Sequence, residues 1–193
     1  MVRILDEIKD YAHKNNVPIM LDDGIEFLTN YIRENNIKNI LEIGSAIGYS
    51  AISMALVSDD VHVTTIERDV NRYNEAIKNI SKMHLEDRIN VILSDAFDVE
   101  LNDCFDLIFI DAAKAQYIKF FNKFDSNLKS GGVVFSDNLN FHGLTHTNEY
   151  IESRNVRGLV RKLNQYIDFL NENKDYNTSF YDIGDGISVS IKK

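Results

Sequence analysis

Apolar positions along the chain follow two different periods. Near the start they recur every three to four residues. Ile4, Leu5, Ile8 and Ala12 mark one amphipathic helix, and after a break at Val17-Pro18 the set Ile25, Leu28 and Ile32 marks a second, with Asp22 and Asp23 as capping candidates. Residues 1–36 are thus expected to form an N-terminal helical extension covering one edge of the remaining domain. From Ile37 the pattern changes to short apolar runs alternating with helical stretches. Asn39 to Ile43 precedes Ser50 to Val57, and Val61 to Ile66 precedes Val70 to Met83. Ile89 to Leu93, Phe105 to Ile110 and Gly132 to Ser136 continue the series, with Tyr117 to Leu128 as one intervening helix. Runs this apolar suit strands covered on both faces, and their alternation with helices predicts a parallel, doubly wound sheet. The end differs. Thr178 to Ile183 and Ile187 to Ile191 are joined by Gly184-Asp185-Gly186, a turn short enough for an antiparallel hairpin. The expected fold class is α/β, a seven-stranded, mostly parallel sheet with an antiparallel last strand, plus the N-terminal helices.

Composition narrows this picture. The chain has 193 residues, 44% of them hydrophobic, and its only proline is Pro18, so no Pro-rich linker divides it and residues 1–193 are expected to form a single domain. A net charge of −9 argues against a generally adhesive nucleic-acid coat, though not against a local basic patch. The single cysteine, Cys104, cannot form an intrachain disulfide, and no Cys/His zinc spacing exists. A reducing, cytoplasmic setting is expected. No apolar run approaches the ~18 residues that cross a bilayer, and no leader pattern opens the chain, so neither membrane insertion nor secretion is expected.

In open α/β sheets, ligands bind beyond the carboxyl ends of the strands, so residues just after each run carry the chemistry. After the first comes Glu42-Ile43-Gly44-Ser45-Ala46-Ile47-Gly48-Tyr49-Ser50, whose glycines permit a tight turn and close approach of a ligand. After the second comes Glu67, 23 residues beyond Gly44, a carboxylate placed to accept from ribose hydroxyls. After the third comes Asp95-Ala96, where an adenine edge could be read. A P-loop needs Gly-Lys-Ser/Thr and a dinucleotide fingerprint needs GxGxxG; neither is present. The spacing resembles the ExGxxxG loop of class I methyltransferases, which bind S-adenosylmethionine; a purely structural strand-to-helix turn is the alternative.

The fourth core run ends in Asp111 and the fifth in Asp137-Asn138. If those strands are neighbours, three oxygen ligands converge beside the loop, a donor set suited to a hard cation such as Mg²⁺. Any one of these aspartates could instead cap a helix. Lys114, three residues after Asp111, would project over the same pocket as a candidate base if the segment turns helically, and is otherwise a solvated lysine.

From about Val17 onward the chain resembles the metal-dependent O-methyltransferases related to catechol O-methyltransferase. The matching pieces are Leu41 to Ser50, Thr65-Ile66-Glu67-Arg68-Asp69, Phe105 to Lys114 and Ser136-Asp137-Asn138. The resemblance implies the Rossmann-like class I methyltransferase fold, S-adenosylmethionine and Mg²⁺. Within that group the chain is most similar to the bacterial tRNA 5-hydroxyuridine methyltransferases, through Val17-Pro18-Ile19-Met20, Ile47 to Ile52 and Asp137 to Gly143. That similarity implies a homodimer acting on the tRNA anticodon loop, converting wobble 5-hydroxyuridine to 5-methoxyuridine. By the same carry-over Met20, Gly44, Ser50, Glu67, Asp95, Ala96 and Asp111 line the cofactor site, with Ser45 and Tyr49 from the same loop. Asp111, Asp137 and Asn138 are the expected metal ligands, and Lys114 and Asp111 the expected catalytic residues. Plant-type members carry a tryptophan after the Asp-Asn pair; here Phe141 stands there.

Arg154, Arg157 and Arg161 fall on one face of an expected helix, with Lys162 alongside. The stripe could hold anticodon phosphates or be a solvated face. Phe141 and Tyr49 could stack on a splayed base or sit in the core. His142 and His146 read as loop residues rather than a metal pair, and Cys104 as inert. A catechol and a 5-hydroxyuracil offer a metal the same two-oxygen bite, so three readings stay open: a tRNA methyltransferase, a catechol-type small-molecule methyltransferase, and a noncatalytic cofactor-binding module.

Overall fold

The computed structural model of the chain describes residues 2–140, 143–145 and 153–193. Two helices, α1 (Val2–Lys14) and α2 (Asp22–Glu34), precede the alternating series. That series runs β1 (Asn39–Ile43), α3 (Tyr49–Ala55), β2 (His62–Glu67), α4 (Val70–Lys82), β3 (Ile89–Leu93), β4 (Phe105–Ile110), α5 (Tyr117–Phe124), β5 (Leu128–Ser136) and α6 (Arg154–Glu172). The hairpin β6 (Tyr176–Tyr181) and β7 (Ile187–Lys192) closes the chain.

The seven strands form one sheet in the order β3-β2-β1-β4-β5-β7-β6. Neighbours pair in parallel through β5, and β7 runs antiparallel to both β5 and β6. The expected sheet is therefore observed, with the last strand inserted between the fifth and sixth. Because side chains alternate across a strand, strands β1 to β5 feed two cores. Ile40, Val63, Leu107, Phe109, Phe135 and Val189 meet α1, α2 and α3 on one face. Leu41, Ile43, Ile66, Ile108, Ile110 and Val134 meet Phe120, Phe121 and Phe124 of α5 and Leu163, Tyr166 and Leu170 of α6 on the other. Each such fully buried Leu, Ile or Phe contributes about 1.5–3 kcal/mol relative to exposure.

Three local expectations are corrected. The N-terminal helices lie over a face of the sheet rather than an edge. Phe27 and Tyr31 of α2 sit 5.8 and 6.2 Å from the Phe135 ring, and Leu28 and Ile32 are buried in the same core. Their apolar stripes match the inward side of the central strands, which offers more area than an edge. Asp22 and Asp23 occupy the first turn of α2, while Leu21 stands at the cap position. Near the positive end of the helix dipole Asp22 takes the Lys9 ammonium at 2.6 Å, and Asp23 accepts the adjacent Gly24 N–H at 2.9 Å and the distant Gly184 N–H at 3.1 Å. The helix expected from Tyr117 to Leu128 ends at Phe124, tightens into a 3₁₀ turn over Asp125–Asn127 and gives way to β5 at Leu128. Asn127 stops it by donating its side-chain amide to the carbonyls of Leu101 and Asp103 at 2.9 and 3.0 Å. Among the described residues no helix is long and apolar enough to cross a membrane.

Candidate active site

Strand order reverses between β1 and β4, and their carboxyl ends open a crevice. Ladder hydrogen bonds continue past the strand ends and hold the next residues in register. The Gly44 and Ser45 N–H groups donate to Ile66 O at 3.0 and 3.2 Å, Asp111 N–H to Ile43 O at 3.1 Å, and Asp137 N–H to Ile110 O at 3.4 Å. A cavity of about 580 Å³ lies over these ends. Met20, Gly44, Ser45, Tyr49, Ser50, Glu67, Asp95, Ala96, Asp111, Lys114 and Asn138 all line it. Asp137 is 2% exposed immediately behind Asn138.

The loop after β1 is shaped by left-handed backbone at Gly44, Ala46 and Gly48, with φ of +103°, +44° and +82°. Ala46 tolerates this because its N–H is held by Glu67 Oε2 at 2.8 Å. Glu67 Oε1 accepts two more backbone donors, Arg68 and Asp69, both at 2.9 Å. Of roughly four acceptor sites on a carboxylate, about one is left to face the cavity. Asp95 likewise spends Oδ1 on the Phe97 N–H at 3.0 Å. Beneath the loop, Glu42 is fully buried and accepts from the Ser50 and Thr65 hydroxyls. Burial pushes its carboxyl up to about 7 against those two hydrogen bonds.

The two strands are neighbours, and the parallel β4–β5 pairing brings Asp111 beside Asp137-Asn138. Asp137 is pushed up to about 7, first by burial and then by the Asp111 charge, while burial also raises Asp111. Lys114 reaches over from the 3₁₀ turn Lys114–Gln116 and donates to Asn138 Oδ1. Asn138 takes the left-handed conformation at φ +64°, one that asparagine adopts more readily than most residues. Behind it the β6–β7 turn holds the segment, with Leu139 and Asn140 N–H donating to Gly186 O and Asp185 O at 2.9 and 2.7 Å. Among the described residues no three His, Cys, Asp or Glu side chains gather as a metal site. The triple here is two carboxylates and one amide oxygen. Two neighbouring carboxylates, both raised by burial and one raised further by the other's charge, form an environment a hard cation would relieve.

Three buried side-chain oxygens among the described residues lack a hydrogen-bond partner: Ser45 Oγ, Gln116 Oε1 and Ser188 Oγ. Leaving such a group unpaired costs about 1–3 kcal/mol. Two of the three, Ser45 and Gln116, line the cavity, as expected of a surface shaped for a polar ligand. Sequence reasoning passed over Gln116, along with Phe97 and Phe120, whose rings stack at 4.8 Å on the cavity wall. Gln116 lies five residues past Asp111, and extending the search by one turn beyond each strand end would have reached it. Arg154, Arg157 and Arg161 are exposed on α6 and none lines the cavity. Phe141, His142 and His146 lie outside the described residues. Cys104 is a free, exposed thiol.

The sequence profile of the O-methyltransferase family matches residues 2–193. The chain belongs to the O-methyltransferase family. A caffeoyl-CoA O-methyltransferase of Populus kitakamiensis is 31% identical over 193 residues, covering 94% of this chain and 80% of that protein. A crystallised caffeoyl-CoA O-methyltransferase candidate from Staphylococcus aureus shares 40% identity at a TM-score of 0.93, over 98% of this chain and 92% of that one. The O-methyltransferase of Bacillus cereus, solved in complex with SAH, superposes with a TM-score of 0.85 at 24% identity, over 99% and 91% of the two chains. That likeness is one of fold, and it places the sheet among the Rossmann-like methyltransferases.

Proposed function

We propose that this O-methyltransferase moves a methyl group from S-adenosylmethionine to one hydroxyl of a small catechol-type phenol. The observation that carries the reading is a single cavity lined by both the Gly44 loop with Glu67 and the Asp111, Lys114 and Asn138 cluster. Relatives named for caffeoyl-CoA and flavonoids support a phenolic substrate, and the SAH held by the Bacillus cereus protein of the same fold supports the cofactor.

The cofactor, when bound, supplies a methyl group on a cationic sulfur. In the proposed arrangement the one free acceptor direction of Glu67 takes a ribose hydroxyl, Asp95 and Ala96 meet the adenine, and Met20, Ser45, Tyr49 and Ser50 enclose the amino-acid end. Asp111, Asp137 and Asn138 would hold Mg²⁺, whose charge favours ionisation of a chelated hydroxyl. Lys114, the one lysine lining the cavity among the described residues, would be the group that takes the phenol proton. The phenol oxygen would receive the methyl group of the bound cofactor, which leaves as S-adenosylhomocysteine, and the residues above would contribute chiefly by positioning. The test is incubation with S-adenosylmethionine, Mg²⁺ and a catechol panel, read by mass spectrometry. Formation of monomethylated catechol is expected, and none with any catechol rejects the assignment.

A second reading keeps the same chemistry with 5-hydroxyuridine of tRNA as acceptor. Its support is the exposed Arg154, Arg157 and Arg161 on α6, a phosphate-binding pattern on an otherwise acidic chain. Methylation of hydroxylated tRNA without turnover of catechols would establish it over the first. No product from either acceptor would leave the noncatalytic module.

A further inference from the structure

Gln116 has no part in the methyl-transfer chemistry, yet its placement is unusual. It ends the 3₁₀ turn that carries Lys114 and stands at the N-cap position of α5, where its side chain makes no capping hydrogen bond. Its Oε1 is shielded from water and unpartnered, while the residue lines the cavity. Phe120, four positions on, shares its helix face and stacks on Phe97, two residues from Asp95. Gln116 therefore lies one helical turn from the cavity wall that Phe120 and Phe97 form beside Asp95. There Asp95 already spends one oxygen on the Phe97 N–H, and the Arg68 guanidinium lies 3.7 Å from the other. The glutamine adds to these a shielded acceptor with no partner of its own, free to meet a polar ligand edge. The terminal torsion of a glutamine is soft, so Oε1 turns to meet a donor at little cost.

We propose that Gln116 is a cofactor-specificity residue whose Oε1 accepts a hydrogen bond from the 6-amino group of the S-adenosylmethionine adenine. This rests on the reading of S-adenosylmethionine as the cofactor. The side chain then makes the site favour a purine bearing that amine over one lacking it, and the unpaired acceptor of the ligand-free chain gains its partner on binding.

The experiment is a calorimetric cycle on the full chain with two ligands, S-adenosylhomocysteine and its 6-deamino analogue carrying hydrogen in place of the amine. Wild type is expected to prefer the amino compound. Gln116→Met, similar in size and lacking the acceptor, lowers that preference about five- to tenfold, the equivalent of one hydrogen bond. Gln116→Leu gives the same fall should the methionine variant fold poorly, and Gln116→Glu, which keeps an acceptor, retains the preference. An unchanged ratio in the Met or Leu variant overturns the Gln116 assignment and leaves the cofactor reading standing. Absence of any S-adenosylhomocysteine binding by wild type overturns both.

Discussion

Gly44 and the backbone carbonyl of Asp111 touch across the β1–β4 crevice, so closely that a Cβ on Gly44 would lie 2.2 Å from Asp111 O. Gly44 also holds φ at +103°, a conformation L side chains rarely adopt. The contact fixes the Gly44 loop against the residue that begins the acidic cluster, so one substitution disturbs both. Gly44→Ala is expected to cost about 2–4 kcal/mol and lower the melting temperature by about 5–15 °C. Calorimetry measures this, and S-adenosylhomocysteine titration should weaken in parallel. A variant that melts like wild type and binds as well would show that the loop yields freely at this point.

Lys114 donates to Asn138 Oδ1 and sits at the end of the cavity where the acceptor hydroxyl would lie. As a proton acceptor it should matter to turnover and little to cofactor affinity. Lys114→Met is expected to lower kcat by about 10²- to 10⁴-fold while S-adenosylhomocysteine affinity holds. Equal losses in affinity and in kcat would make it a cofactor-positioning residue instead.

Asp137 is buried and raised in pKa by burial and by Asp111, and the segment just after it is held by the β6–β7 turn. If the pair with Asn138 holds Mg²⁺, EDTA should abolish product formation and added Mg²⁺ restore it. Asp137→Ala should then lose at least about 100-fold of activity with cofactor binding intact. Turnover undiminished by EDTA removes the metal from the mechanism.

The parallel core was legible because burial on both faces leaves a local trace. In β4, Phe105-Asp106-Leu107-Ile108-Phe109-Ile110, five of six residues are apolar, and the strand starts and stops where the pattern does. The candidate site was legible for a related reason: once strands are located, the rule that ligands bind at their carboxyl ends points to Gly44, Glu67, Asp95, Asp111 and Asp137. What local pattern does not carry is relations between distant segments. Asp23 reads as a cap until the Gly184 N–H, 161 positions away, arrives to bond it. The helices around Leu28 and Ile32 announce an apolar stripe but not the Phe135 surface it covers. Gln116 is silent in sequence because its standing depends on a 3₁₀ turn that places it one helical turn before the Phe97–Phe120 stack.

Glu42 yields a pH signature that separates its burial from the rest of the acidic cluster. It faces the α1–α3 side of the sheet, where burial pushes the carboxyl from 4.5 to about 7 and the Asp111 and Glu67 charges push the same way. The Ser50 and Thr65 hydroxyls pull down without prevailing. A native pKa above the unfolded one means the folded chain binds the extra proton. The resulting stabilisation is complete below 4.5 and is lost as pH rises through about 7. Its ceiling is about 3 kcal/mol, each unit of displacement being worth about 1.4 kcal/mol. Glu42→Gln keeps the shape and cannot titrate, while Asp111 and Asp137 stay in both proteins and largely cancel from the difference. Between about pH 5 and about pH 8 the ligand-free wild type should therefore lose melting temperature relative to Glu42→Gln, by several degrees at the alkaline end. Thermal unfolding of the two proteins across that range decides it: parallel curves would mean that Glu42 remains ionised in the fold, its charge carried by the two hydroxyls after all.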